Sequence, residues 1–231
     1  MKKTVTKLLL LLISYSSFSQ KQYEFDYVLE YKINVYKDSA KIKNHNFIEK
    51  DQTTSTYYYT NSKDNSYYAI VQEKDSTHYK FNFIEHKGIS TSEEFLKTDI
   101  HKAETIHINC KNIFKITTTY KSEDFELIQL KDTLIYHKKY PLYKFNMTHL
   151  RKRKKEKMGA NYYIIDTSFN THLPLLFYPI LYKKWKLLEN TPTGIIKERF
   201  YIDYYGRLAA SEKFVGIKKT EKKIFIPKKC N

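Results

Sequence analysis

Eight histidines and two cysteines are the residues most able to hold a metal or act as nucleophiles. His101 and His107 lie six apart, while His45, His78, His86, His137, His149 and His172 are isolated. Zinc needs ligands at short, fixed spacings, such as two histidines one helical turn apart or a Cys/His quartet. The chain has no HExxH and no such pair, so no metal and no cofactor is expected. No G-x-S-x-G is present, which removes the strand-turn-helix nucleophile of an α/β-hydrolase. Glu93 and Glu94 are chain neighbours and face different ways. Glycosidase carboxylates instead oppose each other across roughly 5–9.5 Å. Two carboxylates brought together from distant strands remain one alternative, an enzyme with dispersed acids. Five glycines in 231 residues argue against Gly-rich phosphate loops.

Cys110 and Cys230 form no CxxC, so thiol-disulfide exchange chemistry is not expected. An even cysteine count in an exported chain suggests pairing, and a Cys110–Cys230 disulfide is the expectation. The densest charge is Arg151-Lys152-Arg153-Lys154-Lys155, followed by Glu156 and Lys157. Between two strands, such a run reads as a solvated hairpin tip whose like charges discourage edge pairing. Its functional alternative is contact with an anionic envelope surface of lipid headgroups or acidic sugars. Nucleic acid is not an expected partner for an exported chain.

Export is read from residues 1–19. Lys2, Lys3 and Lys7 precede the apolar run 8–13, and Ser17 and Ser19 supply the small residues of a cleavage site before Gln20. The run is too short for a transmembrane helix, which needs about 20 apolar residues. Removing three lysines and no acids lowers the formal net charge from +16 to +13. The expected location is the periplasm, the outer-membrane surface or the medium. The organisation is then a signal peptide, 1–19, and a single β-rich domain, 20–231.

The elements that would carry these residues are strands. Twenty-two Tyr and fourteen Phe favour them. In residues 23–35, Tyr23, Phe25, Tyr27, Leu29, Tyr31, Ile33 and Val35 alternate with mostly polar neighbours, which predicts one long strand with one buried face. Further strands are expected at 57–60, 66–72, 77–85, 105–110, 113–120, 125–130, 134–137, 142–148, 162–166, 194–203, 207–217 and 222–227. Asn61 to Asn65 and Asp203-Tyr204-Tyr205-Gly206 supply turns. Pro179 at a first helical position, with Leu181, Trp185 and Leu188 on one face, predicts a helix over 179–189. Thr91 and Glu94, as a capping box, suggest a second over 92–103. The fold class is mainly β: a large antiparallel sheet, as an open half-barrel or a sandwich, with one or two short helices.

Tyr162-Tyr163-Ile164-Ile165-Asp166, then Leu173-Pro174-Leu175, and later Asp203-Tyr204-Tyr205-Gly206-Arg207 resemble a motif of the LolA/LolB-like half-barrel superfamily. The resemblance covers about residues 162–215. It implies a curved antiparallel sheet, lidded by helices, that holds acyl chains. The leader and the Lys/Tyr/Asn/Ile-rich composition also resemble uncharacterised secreted proteins of Bacteroidota. The GLPGLI family is one of these, although its namesake string is absent and residues 173–178 are only distantly similar. No residue role transfers from either.

The function expected is non-enzymatic binding of an apolar, lipid-like ligand at the envelope. Tyr27 and Tyr31 on the aromatic strand face are the candidate contacts, with Leu181 and Trp185 on the helix acting as a partial lid. The rival is a structural or surface-interaction protein with a filled core. A continuous apolar cavity of several hundred Å³ would favour the first reading.

Overall fold

The computed structural model describes residues 21–36, 50–117, 120–188, 192–227 and 230. The expected signal peptide, the expected cut before Gln20, and His45 lie outside these. Eleven strands form one antiparallel sheet. They are β2 (Tyr27–Tyr36), β3 (Lys50–Thr60), β4 (Tyr67–Glu73), β5 (His78–Glu85), β6 (Ile89–Leu96), β8 (Ile113–Lys115), β9 (Phe125–Ile135), β10 (Lys138–Met147), β11 (Ala160–Asp166), β12 (Ile195–Ile202) and β13 (Leu208–Lys219). Across the sheet their order is β8-β6-β5-β4-β3-β2-β13-β12-β11-β10-β9. The sheet does not close into a barrel. A second sheet sets β14 (Lys223–Ile226) between β1 (Lys21–Glu24) and β7 (Thr105–His107). Three short helices are present among the described residues: α1 (Lys97–Lys102), α2 (Leu150–Lys155) and α3 (Pro179–Lys186).

Strand alternation places successive side chains on opposite faces, and both faces of the large sheet are used. Leu29, Tyr31, Tyr58, Tyr68, Tyr143 and Tyr163 share one core with the strap 175–177 and with α3. Tyr59, Tyr67, Val71, Phe81 and Phe83 point the other way and pack on Ile224, Ile226, Ile106 and Ile100. The small sheet and α1 therefore cover the back of β3–β5, while the strap and α3 cover part of the front. Cys110 and Cys230 are bridged, with Cα atoms 4.9 Å apart. The bridge ties the turn after β7 to the chain end after β14, its parallel neighbour.

The expected strand over 23–35 divides. Tyr23 and Phe25 belong to the back core, Leu29 and Tyr31 to the front core. The break is held at Asp26, whose carboxylate accepts from the Ser62 backbone N–H at 2.8 Å and from the Ser62 hydroxyl. Phe25 N–H turns to the Lys222 carbonyl at 2.9 Å. Alternation continues through the break, but the pairing partner changes. Beyond it Leu29 and Tyr31 are fully buried, Tyr27, Glu30 and Ile33 half-buried, and Lys32 and Val35 exposed.

Other expectations are corrected by pairing. Residues 92–96 continue β6, because Phe95 pairs opposite Tyr79 and its ring lies 5.6 Å from Phe81; only Lys97–Lys102 is helical. Residues 134–137 are not a separate strand. β9 runs on to Ile135, and Tyr136 and His137 turn the hairpin with φ of 48° and 62°. Both central residues of a type I′ turn need positive φ, and here neither is glycine. The strands expected over 105–110 and 113–120 shorten to Thr105–His107 and Ile113–Lys115. The basic run is no plain hairpin tip: Leu150–Lys155 forms α2, with His149 Nδ1 accepting from the Lys152 N–H. The helix over 179–189 is observed as Pro179–Lys186.

Candidate functional site

The front face of β9–β13 and β2 carries cross-strand rows. One row runs Ile33, Glu212, Arg199, Tyr163, Tyr143 across β2, β13, β12, β11 and β10. The next runs Val35, Ala210, Tyr201, Asn161, Phe145. Tyr163 and Tyr143 are packed in the front core. In the second row Ala210, Tyr201, Asn161 and Phe145 line an open cavity of about 540 Å³. Tyr178, Pro179 and Ile180, at the start of α3, and Ile116, Tyr120 and Met158 complete its walls. Arg199 and Glu212 stand at its inner end, where the filled core stops.

Gly159 explains how the wall comes so close. A Cβ there would meet the Ile202 carbonyl oxygen at 2.0 Å, so only glycine lets the turn after α2 lie against the end of β12. Its N–H donates to the Tyr201 hydroxyl at 3.0 Å. Aromatic stacking builds the adjoining wall: Phe125 on Phe145 at 5.2 Å, and Phe145 on Tyr178 at 6.4 Å.

The inner end is polar and buried. Arg199 Nη2 lies 2.8 Å from Glu212 Oε2, and the Tyr58 hydroxyl donates to Glu212 Oε1 at 2.7 Å. The guanidinium stacks 3.7 Å from the Phe177 ring centroid. Burial works to lower the Arg199 pKa, but the Glu212 carboxylate and surrounding tyrosines hold it above the usual arginine range, so it is charged. Burial pushes the Tyr58 phenol well up, and Glu212 adds to this, so it stays a donor. Tyr31 donates to the Ile196 carbonyl of β12 at 2.6 Å, and Tyr68 donates to the Phe177 carbonyl at 3.0 Å, fastening the strap to the sheet. The Tyr163 hydroxyl is buried without a hydrogen-bond partner among the described residues.

Two buried histidines pack near the strap and α3. His172 contacts Thr60 Oγ1 at 3.1 Å and the Leu173 carbonyl at 2.5 Å. His86 stacks on Tyr182 of α3, with centroids 4.8 Å apart. Burial lowers the His86 pKa to about 4, against an opposing pull from the Leu176 carbonyl. Burial also lowers that of His172.

Of the four residues proposed from sequence as ligand contacts, none lines the cavity. Tyr31, Leu181 and Trp185 are buried in the front core, with Trp185 5.3 Å from Tyr143. Tyr27 is half-buried, 5.5 Å from the His172 ring. The helix that bears Leu181 and Trp185 does border the cavity, through Pro179 and Ile180. In the basic run, Lys152 pairs with Asp124 at 2.6 Å and Arg153 Nε donates to the Met158 carbonyl at 3.3 Å. Arg151, Lys154 and Lys155 are exposed. α2 leads directly into Met158 and Gly159 of the cavity wall.

Arg199 and Glu212 escaped the sequence reading. The available signal was compositional: arginine is rare in this chain beside far more numerous lysines. Arginine, with its planar fork and weaker hydration, suits a buried ion pair better than lysine. No group of three or more His, Cys, Asp or Glu suited to a metal occurs among the described residues. Among the described lining residues Glu212 is the sole carboxylate.

No protein-family model matches the chain, and no curated protein matches it. Among solved structures, the chain is similar to an uncharacterized conserved protein from Thermus thermophilus, with 10% identity and a TM-score of 0.37, over 83% of this chain and 79% of that one. It is similar to a chain of the Pseudomonas aeruginosa MucA/MucB complex at 6% identity and TM-score 0.39, over 84% of this chain and 53% of that one. A third is a putative outer membrane lipoprotein-sorting protein domain from Vibrio parahaemolyticus, at 9% identity and TM-score 0.33, over 84% of this chain and 85% of that one.

Proposed function

We propose that this chain is an exported, non-enzymatic binding protein that shelters the alkyl chain of a lipid-like ligand in its front-face cavity. The cavity of about 540 Å³ carries the reading. It is lined mainly by apolar and aromatic side chains, with a few polar groups among them, the composition of small-molecule sites. It falls within the usual range of roughly 300–1,000 Å³ for such sites. The disulfide supports an oxidising compartment. The domain is taken to be residues 20–231 after removal of the leader 1–19. No helix among the described residues is long and apolar enough to cross a membrane.

The exposed face of α2, with Arg151, Lys154 and Lys155, is the part of this reading that would meet an anionic envelope surface. It leads into Met158 and Gly159 of the cavity wall, so attraction to anionic headgroups would bring the cavity near a lipid source. A two-carboxylate hydrolase finds less support. Glu212 is engaged by Arg199 and Tyr58, and no second carboxylate lines the cavity among the described residues.

Titration with the neutral apolar fluorophore N-phenyl-1-naphthylamine tests the proposal. Saturable enhancement with one site per chain is expected. Absence of saturable binding to folded protein would remove the binding reading and leave the filled-core interaction protein.

A further inference from the structure

The inner end of the cavity is a charge pair, and this selects the head of the ligand. Glu212 is charge-paired: one oxygen takes the Tyr58 hydroxyl, and the other lies in ion-pair contact with Arg199 but has no hydrogen-bond donor among the described residues. The Arg199 guanidinium has five N–H donors, and Glu212 is its ion-pair partner among the described residues, while the Phe177 ring covers one face. The Arg199 side chain keeps 19% of its surface accessible against 2% for Glu212, and it lines the cavity. Donors therefore remain open to a bound molecule at the point where the cavity ends.

We propose that the cavity selects an alkyl chain bearing an uncharged carbonyl, as an ester or amide, over the same chain bearing a free carboxylate. This rests on the binding reading above. An ester carbonyl gives up little hydration and gains a charge-assisted hydrogen bond from Arg199. A carboxylate gives up far more. It recovers little, because the Arg199 charge is already balanced by a carboxylate a few ångströms away that repels the newcomer.

The experiment is displacement of N-phenyl-1-naphthylamine at pH 8 by monolaurin and by laurate. Monolaurin is expected to bind at least about tenfold more tightly than laurate to the wild-type protein. In Glu212→Gln the repelling charge is gone, so laurate should gain about tenfold while monolaurin changes less than about threefold. If Glu212→Gln does not fold, the wild-type ratio decides alone. Equal binding, or tighter binding of laurate, to the wild-type protein overturns the selection while leaving the cavity reading intact. If the fluorophore itself does not bind, the cavity reading fails first.

Discussion

Removing Glu212 should be among the most damaging single changes in the front core. The carboxylate is almost wholly buried, and two groups depend on it: the Arg199 guanidinium at 2.8 Å and the Tyr58 hydroxyl at 2.7 Å. Glu212→Ala leaves a buried cation without its partner, which costs about 3–5 kcal/mol. It also orphans a buried hydroxyl, a further ~1–3 kcal/mol, although relaxation toward the cavity will keep the two from adding fully. Against a total stability of about 5–15 kcal/mol, this brings the protein close to unfolding. The triple variant Tyr58→Phe, Arg199→Met, Glu212→Leu removes both charges and the dependent hydroxyl together. It should lie within about 2 kcal/mol of the wild type, because a buried pair replaced by apolar groups is often neutral. Urea unfolding followed by tryptophan fluorescence suits the measurement, since Trp185 packs in the same core. A cost below about 1 kcal/mol for Glu212→Ala would mean that water reaches the pair freely, and the argument for a desolvated inner end would collapse.

Leu29→Ala should cost about 2–5 kcal/mol, because Leu29 is fully buried in β2, whereas Lys32→Ala on the exposed face should stay within about 0.5 kcal/mol; equal urea midpoints would contradict the burial pattern. Cys230→Ser opens a covalent link between positions 120 apart and should lower stability by roughly 2–5 kcal/mol under oxidising conditions, an effect that must disappear when both proteins are reduced. Acid should loosen the strap. His86 is lowered in the folded state to about 4, so its neutral form is the one that folding favours. That contribution is complete above pH 6.5 and is lost as pH falls from there toward 4; His172, also lowered, adds in the same direction. Urea midpoints at about pH 7.5 and about pH 5 should therefore differ more in the wild type than in His86→Phe, and identical differences would refute the assignment.

The sheet was legible because alternation is a local signal. Leu29 and Tyr31 face one way and Lys32 the other in any register that buries the aromatic row. The division of 23–35 between two sheets was not legible, because Asp26 is pinned by Ser62, a residue 36 positions away. The Tyr136-His137 turn was missed for the opposite reason: the usual asparagine and glycine are absent, and the long β9–β10 ladder imposes positive φ on residues that do not prefer it. The hydrophobic run that predicted α3 did predict its buried face, with Leu181 and Trp185 inward. Its role as a lid was harder to read. The contact with the cavity comes from Pro179 and Ile180 at the helix start, because the strap, and not the helix alone, sets how far the sheet is covered. Arg199 and Glu212 meet only through the β12–β13 register, which no spacing in the chain reveals. The Cys110–Cys230 bridge needed no register, since two cysteines allow a single pairing.

The central claim, that the front-face cavity holds an alkyl chain, is tested most directly by native mass spectrometry of protein purified from its own host. The comparison is with Ala210→Trp, which adds an indole to a lining position on β13. The account predicts an adduct of lipid mass on the wild-type protein, lost on denaturation, and a bare mass for the folded variant. A bare wild-type protein that also fails to take up added monolaurin, or an adduct retained unchanged by Ala210→Trp, would contradict it.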